Sequence, residues 1–221
     1  MPSNEPSHAP SDQAAAIEAL LARGVAASQA NDSRMAIELF RQACAQAPSA
    51  GLPQFLLGSE YAASGDMQAA EGCLANAVLL SPDLVLARYQ LGLLQFSSAR
   101  AAAALVTWQP LAQLPPSTPW PHWVRGFAAL ARDEFEQARS HLQQGIALNQ
   151  ENAALNADVH KVLEGIDALA APADAAARTA NTPSSSMPSE QLASDGEQAP
   201  REQTSNVQAM LASYAQNTRV H

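Results

Sequence analysis

A repeat of 34 residues runs from about residue 17 to residue 152 and constrains the fold more than any other feature. Four sets of residues recur at this spacing: a glycine, an alanine, a bulky apolar residue and a closing proline. Agreement of independent sets on one period indicates stacked copies of one structural unit. The sets are Gly24, Gly58, Gly92 and Gly126; Ala36, Ala70, Ala104 and Ala138; Phe40, Leu74, Trp108 and Leu142; and Pro48, Pro82 and Pro116.

The composition favours helices as the elements of this unit. Apolar residues make up 47% of the chain but aromatic residues only 5%, because 48 of the 221 residues are alanine, the strongest helix former. A glycine inside a helix costs about 1 kcal/mol relative to alanine, so its recurrence needs a reason, and close approach of a paired helix is the simplest. The proline at the end of a unit stops its last helix.

The residues that stand in register resemble the tetratricopeptide repeat (TPR) family. The second unit shows the resemblance most fully, with Leu57, Gly58, Tyr61, Gly65, Ala70, Leu74, Ala77 and Pro82 at the family's characteristic positions. The resemblance implies an all-α fold, a right-handed superhelical solenoid of antiparallel helix pairs, closed by a capping helix. It implies protein binding and no chemistry.

The period predicts four units, at about 17–50, 51–84, 85–118 and 119–152. The helix pairs are expected at 13–30 with 34–46, 52–63 with 67–80, 84–97 with 101–113, and 119–131 with 135–148. The apolar spacing of residues 152–169 predicts a ninth helix that covers the open end, so that the repeat domain spans residues 12–170. Asp133 is expected to cap the second helix of the fourth unit.

The two ends of the chain differ from the repeats in composition. Residues 1–11 are predicted to be a disordered N-terminus, and residues 171–204, rich in Pro, Ser, Ala and acids, a flexible linker. Residues 205–221 are predicted to form a disordered tail or a short amphipathic helix. Its apolar face would contain Val207, Met210, Leu211 and Tyr214.

Charge and motifs exclude several function classes. The net charge of −9 argues against nucleic acid as a partner, and the sequence has no apolar run long enough to insert in a membrane. Met1 and the residues after it lack the pattern of a secretory signal, so we expect a cytoplasmic protein. Cys44 and Cys73 form no disulfide framework and are expected to be buried thiols.

No catalytic motif is present, so the chain is predicted not to be an enzyme. His122, His141 and His160 do not fall at the i, i+3 or i, i+4 spacing of a helical metal site, and no phosphate-binding loop or nucleophile motif occurs. We therefore expect no metal and no cofactor.

The resemblance places candidate binding residues on the first helix of each pair, which lines the inner groove of a TPR solenoid. Six of the eleven aromatic residues fall at groove positions. An alternative remains open, in which units three and four bury these rings in the core. The predicted groove residues are Leu21, Val25, Leu52, Phe55, Tyr89, Leu93, Phe96, Trp120, Trp123, Phe127 and Leu130.

The chemistry of these positions predicts an apolar ligand. The groove positions include one acid and no lysine or arginine, so they lack the basic clamp with which some TPR proteins hold a chaperone's carboxyl terminus. We expect a non-catalytic adaptor or chaperone-like module that binds an apolar or amphipathic protein segment. The tail helix is expected to occupy the groove transiently. The alternative function is a structural subunit of a larger assembly or a homo-oligomer.

Overall fold

The structure is a computed structural model, and it describes the backbone of residues 9–180 and the side chains of residues 12–169. These residues form nine α-helices and no β-strand, which confirms the predicted all-α class. The helices are α1 (Ala9–Gln29), α2 (Ser33–Gln46), α3 (Gly51–Ser64), α4 (Met67–Leu80), α5 (Val85–Ser97), α6 (Ala101–Ala112), α7 (Pro119–Leu130), α8 (Phe135–Leu148) and α9 (Ala153–Ala180).

The ends of α2 to α8 agree with the predicted ends within one residue, whereas the two outer helices are longer than predicted. Helix α1 begins at Ala9, and α9 continues to Ala180 through a segment that was predicted to belong to the linker. The alanine content of residues 170–180 explains the extension, because alanine favours helix without tertiary contacts. The rest of the predicted linker and the tail residues Val207, Met210, Leu211 and Tyr214 lie outside the described residues.

The described chain divides into two compact units. Unit 1 contains α1 to α6 and ends at Gln113, and unit 2 begins at Leu114 and contains α7, α8 and α9. In unit 1 the pairs α1 and α2, α3 and α4, and α5 and α6 pack together, and each pair contacts the next. In unit 2, α8 packs against both α7 and α9.

The recurring glycines and bulky residues meet across each helix pair. A Cβ atom at Gly58 would lie 2.9 Å from Leu74 Cγ, and one at Gly126 would lie 2.7 Å from Leu142 Cγ. The same relation joins Gly24 to Phe40 and Gly92 to Trp108. Close helix approach, the predicted reason for the glycine period, is therefore confirmed in all four pairs.

The turn inside each pair has its own 34-residue set, of which only Gly65 was predicted from the TPR pattern. Asn31, Gly65, Ala99 and Asp133 all have positive φ, between 57° and 88°. Asp133 is therefore a left-handed turn residue and not the predicted cap. The cap of α8 is Glu134, whose side chain makes no capping hydrogen bond.

Replacing Ala99 by glycine should stabilise unit 1. Ala99 has φ 62°, a conformation that costs a residue with a Cβ atom roughly 1–2 kcal/mol. Glycine removes this cost but increases the entropy of the unfolded chain, so we expect a net gain of up to about 1 kcal/mol in the free energy of unfolding, measured with urea. The control is Ala22→Gly, an exposed position inside α1, which should lose about 0.5–1 kcal/mol. Losses in both variants would contradict the assigned turn.

Helix α9 covers α8 in the way that the sequence predicts for a terminal helix. Five of its apolar residues are buried, and Arg139 of α8 forms an ion pair with Asp167 of α9. Helix α8 therefore packs against α7 and against α9. The buried apolar residues of α9 are Leu155, Val159, Val162, Leu163 and Ile166.

Candidate functional site

Five of the predicted groove residues remain accessible on the first helices of unit 1. Val25 is 36% exposed and Leu52 is 47% exposed, and the other three are half-buried. Ser59 of α3 donates a hydrogen bond to Gln90 of α5 at 2.7 Å, which holds these two helices side by side. We call these five residues the α1–α3–α5 face: Leu21, Val25, Leu52, Phe55 and Leu93.

Tyr89 and Phe96 do not belong to an open groove, although both were predicted to line it. Each side chain is 1% exposed, and their ring centroids lie 6.1 Å and 5.9 Å from the Trp108 ring of α6. The Trp108 indole N–H donates a hydrogen bond to the Tyr89 carbonyl oxygen at 3.0 Å. These rings form the core of the third helix pair, so the alternative interpretation holds for this repeat.

In the fourth repeat, too, most of the predicted groove residues are buried in the core. Trp123, Phe127 and Leu130 are at most 1% exposed, so they stabilise unit 2 and cannot contact a partner without its opening. Trp120 is half-buried and packs edge-to-face on Trp123 at a centroid distance of 5.4 Å. A Cβ atom at Gly145 of α8 would overlap the Trp123 indole, which shows why this helix carries a glycine there.

Two charged side chains close in sequence to the α1–α3–α5 face are an exposed acid and an arginine that is bound to backbone oxygens. Glu18, at a groove position in α1, is exposed to solvent. Arg88 of α5 is directed to backbone carbonyl oxygens of Thr107 and Pro82, at 3.4 Å and 3.3 Å. The guanidinium is therefore engaged by backbone oxygens of the second and third repeats and does not supply a carboxylate clamp.

The two cysteines are free thiols, as predicted, and they are half-buried rather than buried. Both pack against one core cluster of α2, α3 and α4. Burial, and secondarily the neighbouring Cys73, raises the pKa of the Cys44 thiol to about 11, and burial also raises the pKa of Cys73. Because the thiolate is the nucleophilic form, both side chains are poor nucleophiles near neutral pH.

One histidine contact was not predicted, because it joins residues of two different helices. The rings of His122 in α7 and His141 in α8 lie 6.5 Å apart. The His122 ring nitrogens lie 3.0 Å from Gln144 Oε1 and 2.9 Å from the Pro116 carbonyl oxygen, so this ring ties the segment before α7 to α8. Its contacts are those of a structural residue.

No group of three or more histidine, cysteine or acidic side chains is placed to hold a metal ion within residues 12–169. Among the helices described, none combines the length and the hydropathy needed to cross a bilayer.

Solved structures with a similar fold share little sequence with this chain. A crystal structure of MamA matches 62% of this chain and 80% of its own, with a TM-score of 0.51 and 20% identity. A structure of MamA from Desulfovibrio magneticus RS-1, from residue 41 to the end, matches 73% of this chain and 89% of its own, with a TM-score of 0.54 and 16% identity. No family model and no curated protein matches the sequence. At these identities the likeness shows a helical-repeat fold and nothing further.

Proposed function

We propose that this chain is a non-catalytic protein-interaction module that binds an apolar or amphipathic segment of another protein on the α1–α3–α5 face. The observation that carries the proposal is the exposure of Val25 on α1 and Leu52 on α3, at inner-helix positions where Phe55 and Leu93 are also only half-buried. Apolar side chains that a fold leaves accessible on one face commonly mark an interaction site.

The chemistry of the face favours a particular class of ligand. The aromatic ring of Phe55 and the branched side chains of the other four residues suit leucine-like or aromatic anchors spaced along one face of a helix. Arg88 is held by backbone carbonyl oxygens, so a ligand carboxylate would find no basic group from this residue. The ligand is therefore an apolar anchor segment, and the module acts as an adaptor or a chaperone-like protein.

Peptide selection on the purified full chain tests this proposal. A displayed library of amphipathic helical peptides is selected against the wild-type protein, and the affinity of the enriched peptides is measured by fluorescence anisotropy. We expect leucine-rich or aromatic peptides, and Leu52→Glu should weaken their binding about tenfold or more, because the carboxylate would be desolvated on the apolar face. Leu52 lies in the first turn of α3, where an acid does not destabilise the helix.

The matched control is Leu148→Glu, which adds the same charge at a leucine of similar exposure on α8. It should leave the affinity unchanged. Enriched peptides that bind Leu52→Glu as tightly as the wild-type chain would place the binding site elsewhere, and a selection that enriches no apolar peptide would refute the ligand class.

A second function, a structural subunit, has its own supporting observation. Leu79 and Val106 are more exposed than any residue of the α1–α3–α5 face, and they lie on the second helices of their pairs. A module that uses that surface for assembly would associate with itself or with a larger complex.

A further inference from the structure

Two helices of unit 1 present an uncharged surface to solvent. Leu79 and Val106 are 76% and 72% exposed, the highest values for large apolar side chains among the described residues. The exposed residues around them carry no charge, and we call the whole set the α4–α6 surface. It consists of Gln68, Gly72, Ala75, Asn76 and Leu79 on α4, and Ala102, Ala103, Val106, Gln109 and Pro110 on α6.

The two helices are neighbours at one end of this surface. Arg100, the residue before α6, donates two hydrogen bonds to the Glu71 carboxylate of α4, at 2.8 Å and 2.7 Å. This bidentate pair holds the pKa of Glu71 below its usual value. The two opposite charges of this pair therefore offset each other at this edge of the surface.

The equivalent helix of the first repeat shows that the lack of charge is not a general property of the repeat. Helix α2 exposes Arg34, Glu38 and Arg41. The whole chain carries a net charge of −9, so two copies repel each other at most approaches. An uncharged surface is where a second copy can approach without opposing like charges, which makes another copy of this chain the occupant that the charge distribution favours.

A two-fold symmetric contact between α4 helices would pair the most exposed large side chain of α4 with its exposed glycine. In a two-fold symmetric contact every pairing occurs twice: a residue i of one copy contacts a residue j of the other, and j of the first copy contacts i of the second. If two α4 helices cross antiparallel with the axis between Ala75 and Asn76, Leu79 of each copy lies opposite Gly72 of the other. Gly72 has nothing within 4 Å of where its Cβ would be, so it leaves open space on the surface of α4, a hollow that can receive the Leu79 side chain of the other copy.

We propose that this chain forms a two-fold symmetric dimer through its α4–α6 surface, with α4 helices antiparallel and Leu79 of each copy packed against Gly72 of the other. Val106 flanks the contact on α6 and adds apolar area to it. This interface is separate from the α1–α3–α5 face, so a dimer would present two copies of the ligand-binding face.

Sedimentation velocity of the full chain, over concentrations from low micromolar to submillimolar, measures the association. We expect a reversible monomer–dimer equilibrium, and Leu79→Glu should raise the dissociation constant about tenfold or more by placing a carboxylate in an apolar contact. The control is Ala45→Glu, which adds the same charge at the equivalent position of the first repeat, one residue from the end of α2 as Leu79 is from the end of α4. It should dimerise like the wild type, and circular dichroism should show unchanged helix in both variants.

A charge-pair rescue tests the antiparallel register itself. Gly72→Lys alone should weaken the dimer, because it fills the hollow that receives Leu79. The double variant with Gly72→Lys and Leu79→Glu should recover association, since each lysine then faces a glutamate of the other copy in two equivalent pairs. Within one helix these positions are seven residues apart, so an effect on the monomer does not explain the recovery.

The outcomes separate this proposal from its alternatives. A wild-type chain that stays monomeric at every concentration refutes the dimer. A surface that is occupied by the tail of the same molecule would give this monomeric result. A dimer that is insensitive to Leu79→Glu refutes the surface, and a dimer that the double variant fails to restore refutes the register. None of these results changes the peptide selection on the α1–α3–α5 face, so the two proposals fail independently.

Discussion

Phe96→Ala should destabilise unit 1 by about 3–5 kcal/mol, the range for removing a phenyl ring from a packed core. Phe96 is 1% exposed and packs on the Trp108 ring, at a centroid distance of 5.9 Å. Truncation would leave a cavity beside the indole, and Gly92 offers no side chain to fill it. Urea unfolding followed by far-UV circular dichroism measures the loss as a lower midpoint with an unchanged slope.

The stability lost by Phe96→Ala is compared with that lost by Phe55→Ala. Phe55 occupies the equivalent groove position to Tyr89, one repeat earlier, but it is only half-buried. We expect it to lose no more than about half as much stability as Phe96→Ala, because less apolar area returns to water. A Phe96→Ala variant as stable as the wild type would mean that the ring of Phe96 is not a core residue, and equal losses would mean that Phe55 contributes to the core as much as Phe96 does.

This distinction affects how partner binding is tested. A variant such as Phe96→Ala would lose affinity for a partner simply because less of the chain is folded. Substitutions at Leu52 or Val25 change accessible side chains and leave the buried rings in place. Binding experiments therefore belong on these exposed positions.

The fold was largely predictable because the repeat contains redundant information. Glycine, alanine and bulky sets each report one helix-pair contact, and their common period places the helix ends within one residue for α2 to α8. The outer helices have no repeat partner beyond them, so their ends depend on local propensity alone. This is why the continuation of α9 to Ala180 was missed.

The accessibility of the groove residues was less predictable. A position in the TPR pattern specifies the side of the helix on which a residue lies, but not how deeply its side chain is buried. Tyr89 and Phe96 occupy inner-helix positions, but Trp108 fills the space behind Gly92 and both rings pack around it. One signal was available for Trp123. Gly145 replaces the alanine or leucine found at the equivalent position of the other repeats, and a glycine there indicates a large ring on the facing helix.

Contacts between separate helices with no repeating counterpart left no signal in the sequence. His122 and His141 meet across α7 and α8, and Arg100 reaches Glu71 from the residue before α6. Neither pair recurs at the 34-residue period, so neither was marked as a contact. The sequence shows that α4 and α6 contain few charged residues, but only the structure shows that their exposed residues are uncharged.

The last prediction uses one substitution at two glycines to separate packing from helix propensity. Gly58→Ala should destabilise unit 1 by about 1–3 kcal/mol, because the added methyl group overfills a tight helix contact. The new Cβ would lie 2.9 Å from Leu74 Cγ, 3.1 Å from the Leu74 backbone nitrogen and 3.2 Å from the Ala70 carbonyl oxygen. The leucine side chain can rotate, but the two backbone atoms belong to α4 and move only if the helices separate.

Gly72→Ala is the matched control, since Gly72 lies inside α4 and a Cβ there would meet nothing within 4 Å. Only helix propensity acts at this position, so we expect a gain of up to about 1 kcal/mol. Both variants are compared by urea unfolding at low protein concentration, where the association proposed for the α4–α6 surface is negligible. Opposite signs would establish that Gly58 is retained for close helix approach, and stabilisation by both substitutions would show that the α3–α4 contact is looser than these distances require.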